Sequence, residues 1–256
     1  MKFALIGCGA IGSAVIEAFR KKLVDGELVA VYDIDIEKAK RVAKDFRFAE
    51  NLDELIALKP DVAVEAASQE FVKKEVPRLL ENGINVLIMS TGALLDPETI
   101  SKIMESSGKG NSIVYLPHGA IAGLDALQSL RLPGVEKVLL RTRKNPGSFG
   151  KSMEIREPVI LFSGPAREAV KLYPANINVA AALALAAGVE PAVEIVADPG
   201  VSENIHEIVV ESGASRIAIE VRNMPSPENP KTSELARLSV ISALRKISGK
   251  EKIRIV

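Results

Sequence analysis

Gly7-Cys8-Gly9-Ala10-Ile11-Gly12, followed about 20 positions on by Asp33, is the arrangement in this chain best suited to chemistry. Each glycine meets a separate demand. Gly7 permits a tight turn, Gly9 lets the backbone approach a pyrophosphate, and Gly12 lets a helix pack close to its strand. Phosphates would then meet the N–H groups of Ala10 and Ile11 at the positive end of that helix. Asp33 would accept hydrogen bonds from the adenosine ribose hydroxyls and repel a 2′-phosphate. Asp35 adds negative charge and no Arg immediately follows Asp33, so NAD is expected over NADP. Lys38, Lys40 and Arg41 follow on the next helix and keep NADP open. The competing reading is a glycine turn that binds nothing.

The chain has two histidines and one cysteine. Residues 204–222 read as a β-hairpin about Gly213-Ala214, with Val210 facing Ile217, Ile208 facing Ile219, and His206 facing Val221. Glu211 then meets Arg216, which supports the register. This puts His206 on the inward, apolar face. It is either a satisfied core residue or part of a cleft facing the nicotinamide, where an imidazole titrating near neutrality would exchange a proton or bond a substrate. His118 and Gly119 open a small-residue segment and read either as a junction or as substrate contacts. Asn176 and Asn178 begin an alanine-rich helix, as caps or as amides for a carboxamide or carboxylate. Cys8 reads as a small filler, with a reactive thiol as the alternative. Two distant histidines and a turn cysteine make no metal site.

These residues need a scaffold, and the apolar pattern supplies one. Strands read at 3–6, 28–32, 62–66, 86–89 and 113–116, alternating with helices at 10–23, 36–45, 71–80 and 97–106. This predicts an α/β, Rossmann-type, doubly wound parallel sheet. The loops Ala67-Ser68-Gln69 and Ser90-Thr91-Gly92-Ala93 would lie at its carboxyl edge and approach the cofactor, or show ordinary loop polarity. Beyond Pro117, helices at 121–130, 166–172 and 179–187 mix with strands at 135–142, 159–162, 192–197, 204–210 and 216–222. That predicts a second, α+β domain with a mixed or antiparallel sheet. After a linker at 224–230, a helix at 234–247 carries Leu235, Leu238, Ile241 and Leu244 as an expected buried stripe. The expected domains are 1–117, completed by 231–256, and 118–230.

Lys plus Arg and Asp plus Glu number 33 each in 256 residues, so no global field recruits nucleic acid or membrane. The lone cysteine points to a reducing compartment. The opening apolar run reads as a buried strand rather than a signal peptide, and the run at 179–189 is too short to span a bilayer. A cytoplasmic protein is expected.

Three segments together resemble the L-aspartate dehydrogenase family. They are the glycine turn, His118-Gly119-Ala120-Ile121-Ala122-Gly123-Leu124-Asp125-Ala126-Leu127, and Pro174-Ala175-Asn176-Ile177-Asn178-Val179-Ala180-Ala181-Ala182-Leu183-Ala184. A fourth, Asn204-Ile205-His206-Glu207-Ile208, matches the region of that family's active-site histidine. His118 stands where the family usually has Ser. The resemblance implies NAD(P)-dependent conversion of L-aspartate to iminoaspartate, reversible from oxaloacetate and ammonia, feeding quinolinate and NAD synthesis. It also implies a homodimer, His206 as the active-site residue, and Ala120 and Asn176 as cofactor contacts. A dicarboxylate needs cations; Arg141, Arg143, Lys144, Lys151 and Arg216 are candidates. One rival is a dihydrodipicolinate-reductase-like, homoserine-dehydrogenase-like or sugar dehydrogenase. Those commonly use a catalytic lysine, whereas here His206 is expected to hold the inward position and no lysine to do so. Another is a non-catalytic NAD sensor, for which a DNA-reading element is missing.

Overall fold

The apolar runs of the first half become five parallel strands in a computed structural model that describes residues 1–149, 155–173, 178–226 and 232–252. They are β1 (Lys2–Ile6), β2 (Glu27–Tyr32), β3 (Val62–Glu65), β4 (Asn85–Ile88) and β5 (Val114–Tyr115), in the order β2-β1-β3-β4-β5. Phe3, Leu5, Val62, Val64 and Leu87 are fully buried, as strands covered on both faces require. The helices between them are α1 (Ala10–Arg20), α2 (Ile36–Ala43), α3 (Leu52–Ala57), α4 (Gln69–Glu81) and α5 (Pro97–Gly110). Asp35, Asn51, Ser68 and Asp96 cap α2 to α5 through side chains that accept first-turn N–H groups. The periodicity gave no helix at α3, whose six residues are too few to display one. The chain runs from β1 out to β2 and then crosses to β3. That reversal opens a crevice at the carboxyl ends of β1 and β3, where α/β sheets take their ligands.

The chain divides into two units, Met1–Pro117 with Arg237–Val256, and His118–Ala236. In the second, β6 (Val135–Lys144), β7 (Val159–Pro165), β8 (Ala192–Ala197), β9 (Asn204–Ser212) and β10 (Arg216–Asn223) form a sheet ordered β10-β9-β6-β8-β7. Only β6 and β8 are parallel, so the sheet is mixed. Its helices are α6 (Leu124–Leu130), α7 (Ala166–Leu172) and α8 (Asn178–Ala187). The β9–β10 hairpin has the expected register, including His206 opposite Val221 and Glu211 opposite Arg216. The Ser212 N–H donates to the Ser215 carbonyl at 3.0 Å across Gly213-Ala214.

The last helix, α9 (Glu234–Ile247), keeps the expected stripe at Ile241 and Leu244 and departs from it at Leu238. Val240 and Leu244 are buried in one cluster with Phe3, Val15 and Phe19, joined by Ile241 and Ile247, whereas Leu238 is 53% exposed. Residues three apart fall back by about 60° around a helix at each step. A run spaced by threes therefore leaves the face that 240, 244 and 247 maintain. No helix among the described residues is long and apolar enough to cross a membrane.

Candidate functional site

The glycine turn packs as its spacing demands. Gly7 has φ +97°, and a Cβ there would be driven into the Ala66 carbonyl; one on Gly12 would strike the Gly7 carbonyl oxygen. At Gly9, by contrast, a Cβ would meet nothing within 4 Å. Packing against the protein does not require that glycine, and the open space is the cradle a pyrophosphate needs. Unlike α2 to α5, α1 has neither a side-chain cap nor an acidic residue in its first turn. Its positive end, with Ala10 and Ile11, is left to an anion.

Asp33 stands at the end of β2, nearly buried. Its Oδ2 accepts the Cys8 N–H at 2.6 Å and lies 3.6 Å from Lys38 Nζ, while Oδ1 accepts the Asp35 N–H at 2.9 Å. Lone pairs remain for ribose hydroxyls. Gly7, Gly9, Asp33, Lys38, Ala67 and Ser68 share one cavity of about 630 Å³, so the structure brings these sequence candidates together. The residues present fit a dinucleotide. Cys8 is packing: burial, reinforced by the Asp33 charge, pushes its thiol up to about 12.

Sequence reasoning passed over Glu65, the last residue of β3, which is completely buried. Its Oε1 accepts the Ala67 N–H at 2.9 Å and the Ser90 hydroxyl at 2.8 Å; its Oε2 accepts the N–H groups of Ser90 at 2.9 Å and Met89 at 3.2 Å. Burial raises its pKa, against those hydrogen bonds. One carboxylate thus ties the loop after β3 to the loop after β4. The available signal was an ionisable residue inside a strand otherwise apolar on both faces. Glu65 also holds the start of the loop at 90–93. The Ser90 hydroxyl is committed to Glu65, and Thr91 is buried in a 3₁₀ turn, Thr91–Leu95. Ser68 accepts the Phe71 N–H as the α4 cap.

In the second unit, the pairing of β6 with β9 sets Thr142 directly opposite His206. Thr142 Oγ1 lies 3.0 Å from His206 Nδ1, and both residues are buried. Burial, aided by the Lys144 charge, pushes the imidazole down to about 3. The expectation of titration near neutrality is therefore corrected: His206 is neutral at physiological pH, because nothing replaces the water that would solvate its cation. The Thr142 hydroxyl fixes the orientation of the ring.

His118 Nδ1 donates to the Ile121 carbonyl at 2.9 Å, closing a turn through Gly119, whose φ is +63°. The Ala120 carbonyl that follows accepts Asn223 Nδ2 at 3.0 Å, and the same amide reaches the Asn204 carbonyl at 3.3 Å. Asn223, also unforeseen, thereby anchors the Ala120 segment to the His206 strand. Asn178 begins α8. Asn176 and Lys151 lie outside the described residues.

The remaining cations are sorted by strand alternation. Arg141 and Arg143 point to the face opposite His206, paired with Glu194, Glu207 and Asp198, and Arg216 pairs with Glu211. Lys144 shares the His206 face and is buried, which lowers its pKa to about 8. A lysine does hold an inward position, contrary to expectation. The hairpin alone could not show this, because Lys144 lies on a strand some sixty residues earlier.

Residues 7–117 match the family model described as homoserine dehydrogenase, NAD binding domain, and residues 125–247 match aspartate dehydrogenase, C-terminal. The chain is 41% identical over 263 residues to an L-aspartate dehydrogenase of Methanosarcina mazei, covering 96% of this chain and 97% of that one. It is 36% identical to that of Methanocaldococcus jannaschii, covering 99% of each. The crystal structure of aspartate dehydrogenase from Thermotoga maritima matches with a TM-score of 0.78 at 29% identity, covering 100% of this chain and 99% of that one.

Proposed function

This chain belongs to the L-aspartate dehydrogenase family, and we propose that it oxidises L-aspartate to iminoaspartate, running in reverse from oxaloacetate and ammonia. It is an NAD(P)-dependent amino-acid dehydrogenase with NAD as cofactor. The observation that carries the choice of substrate is similarity to named L-aspartate dehydrogenases over nearly the whole of both chains. The homoserine dehydrogenase match concerns the NAD-binding part alone; the part bearing His206 matches the aspartate family.

When bound, NAD supplies the acceptor for the hydride that leaves substrate Cα. The chain's own residues bind and orient. Gly9 and the start of α1 receive the pyrophosphate, and Asp33 takes the adenosine ribose, which favours NAD over NADP. By family resemblance, Ala120 and Asn176 contact the cofactor; His118, Gly119 and Asn178, read from their own chemistry and place in the chain, are assigned toward the substrate. His206, held by Thr142, offers Nε2 to the substrate as a neutral hydrogen-bonding group. The substrate ammonium loses one proton to water before it binds; its nitrogen lone pair then forms the C=N bond as the Cα–H bond breaks and the hydrogen leaves with the electron pair. A fixed, uncharged imidazole suits that step, because it orients the amine without adding a second positive charge.

The iminoaspartate formed would feed pyridine-nucleotide synthesis, and a cytoplasmic homodimer is the form we expect to act. The test is spectrophotometric. Purified protein is incubated with NAD and a panel of amino acids, and reduced nicotinamide is followed by absorbance. Aspartate alone should respond; a response to another amino acid and none to aspartate refutes the assignment.

A further inference from the structure

The sheet of the second unit is apolar along the His206 face at Val138, Leu140, Ile195, Ile208 and Val210, and turns polar only at its last rungs. There Thr142, Lys144, Asn204 and His206 gather, all buried. Lys144 is two residues beyond Thr142 on β6, so it is the diagonal neighbour of His206, within reach of a long side chain. It is the one lysine or arginine that the described strands place on this face, since Arg141 and Arg143 are held by carboxylates on the other.

Taking the proposed aspartate chemistry as its basis, we propose that Lys144 binds a carboxylate of the substrate beside His206 and so confines the enzyme to acidic amino acids. An ammonium and a neutral imidazole on one face screened from water are what a dicarboxylate amino acid requires: a charge-assisted bond for the carboxylate and an uncharged partner for the reacting end. The described strands and helix beside β6 set these groups around Lys144. From β9 come His206 and Asn204. From β8 come Ala197 and then Asp198, whose N–H donates to the Lys144 carbonyl at 2.9 Å while its carboxylate pairs with Arg143 across the sheet. The helix packed on β6, α8, has no titratable side chain.

Succinate is a suitable probe, being a dicarboxylate without an amine and without a titration above neutrality. It is titrated calorimetrically into NAD-saturated protein from about pH 7 to about pH 10. Because Lys144 loses its proton at about 8, wild-type Kd should rise above that point, approaching tenfold per pH unit. Lys144→Met should weaken succinate, and raise KM for aspartate, roughly tenfold to hundredfold, with a flat pH profile and unchanged NADH affinity. Lys144→Arg should retain affinity while losing the rise with pH. A flat wild-type profile, or Lys144→Met with wild-type KM and succinate affinity, overturns the assignment, as does a loss confined to kcat. If the Met variant does not fold, the wild-type profile and the Arg variant decide. Wild type that binds succinate through Lys144 but oxidises no amino acid would refute the proposed function and leave the carboxylate site standing.

Discussion

Acidification from about pH 7 to about pH 5 distinguishes a buried neutral imidazole from a solvated one. In the unfolded chain the His206 ring takes up its proton near 6.5, and in the folded chain at about 3. The folded pKa is depressed, so its stabilisation is complete above 6.5 and drains away as the pH falls from 6.5 toward 3, where the unfolded state binds a proton that the native state refuses. Each pKa unit corresponds to about 1.36 kcal/mol, which makes the loss about 2 kcal/mol by pH 5. That figure does not depend on the folded value as long as it stays below about 4, because the native ring is then uncharged throughout the interval. Chemical denaturation of wild type and His206→Asn at both pH values isolates the effect, since shared carboxylate contributions cancel in the difference. Wild type should lose about 2 kcal/mol more than the variant. The NMR resonance that disappears in His206→Asn should not shift over the same range. Equal losses in the two proteins, or a resonance with its midpoint near 6.5, would refute the neutral hydrogen-bonding role.

Thr142→Val keeps the shape of the side chain but removes the partner of Nδ1; kcat should fall roughly tenfold or more while NADH affinity is kept, and unchanged kcat would show that the hydroxyl orients nothing. Asp33→Ala should weaken NAD about tenfold and leave NADP equal or tighter, as Lys38 is released from its 3.6 Å pair. Equal losses for the two cofactors, read by fluorescence titration of their reduced forms, would remove Asp33 from the ribose. Glu65→Gln sets an NH₂ against donors from Ala67 and Ser90 or from Met89 and Ser90, leaving at least one buried N–H unsatisfied. Calorimetry should find Tm lowered by roughly 5–10 °C; a drop within a degree or so would mean that the two loops do not rely on that carboxylate.

Features that neighbouring residues settle among themselves were legible in the sequence. The strand–turn–helix around Gly7, Gly9 and Gly12 follows from steric demands within a dozen residues, and Asp33 from the length of one βαβ unit. The β9–β10 register follows from a two-residue turn and an alternating pattern, which together leave one pairing that buries Ile208, Val210 and His206 on one face. What the tertiary structure decided involves partners far apart in the chain. Thr142 and His206 are 64 residues apart, and Glu65 reaches donors up to 25 residues away. Leu238 is exposed because the face of α9 is chosen by a core that begins at Phe3. Sequence names Arg141, Arg143 and Lys144 as equal cations; strand pairing puts two of them among carboxylates and one beside the imidazole. The protonation state of His206 belongs to the same class, because a pKa is set by the solvation and charge that the finished fold leaves around a group, and local sequence specifies neither.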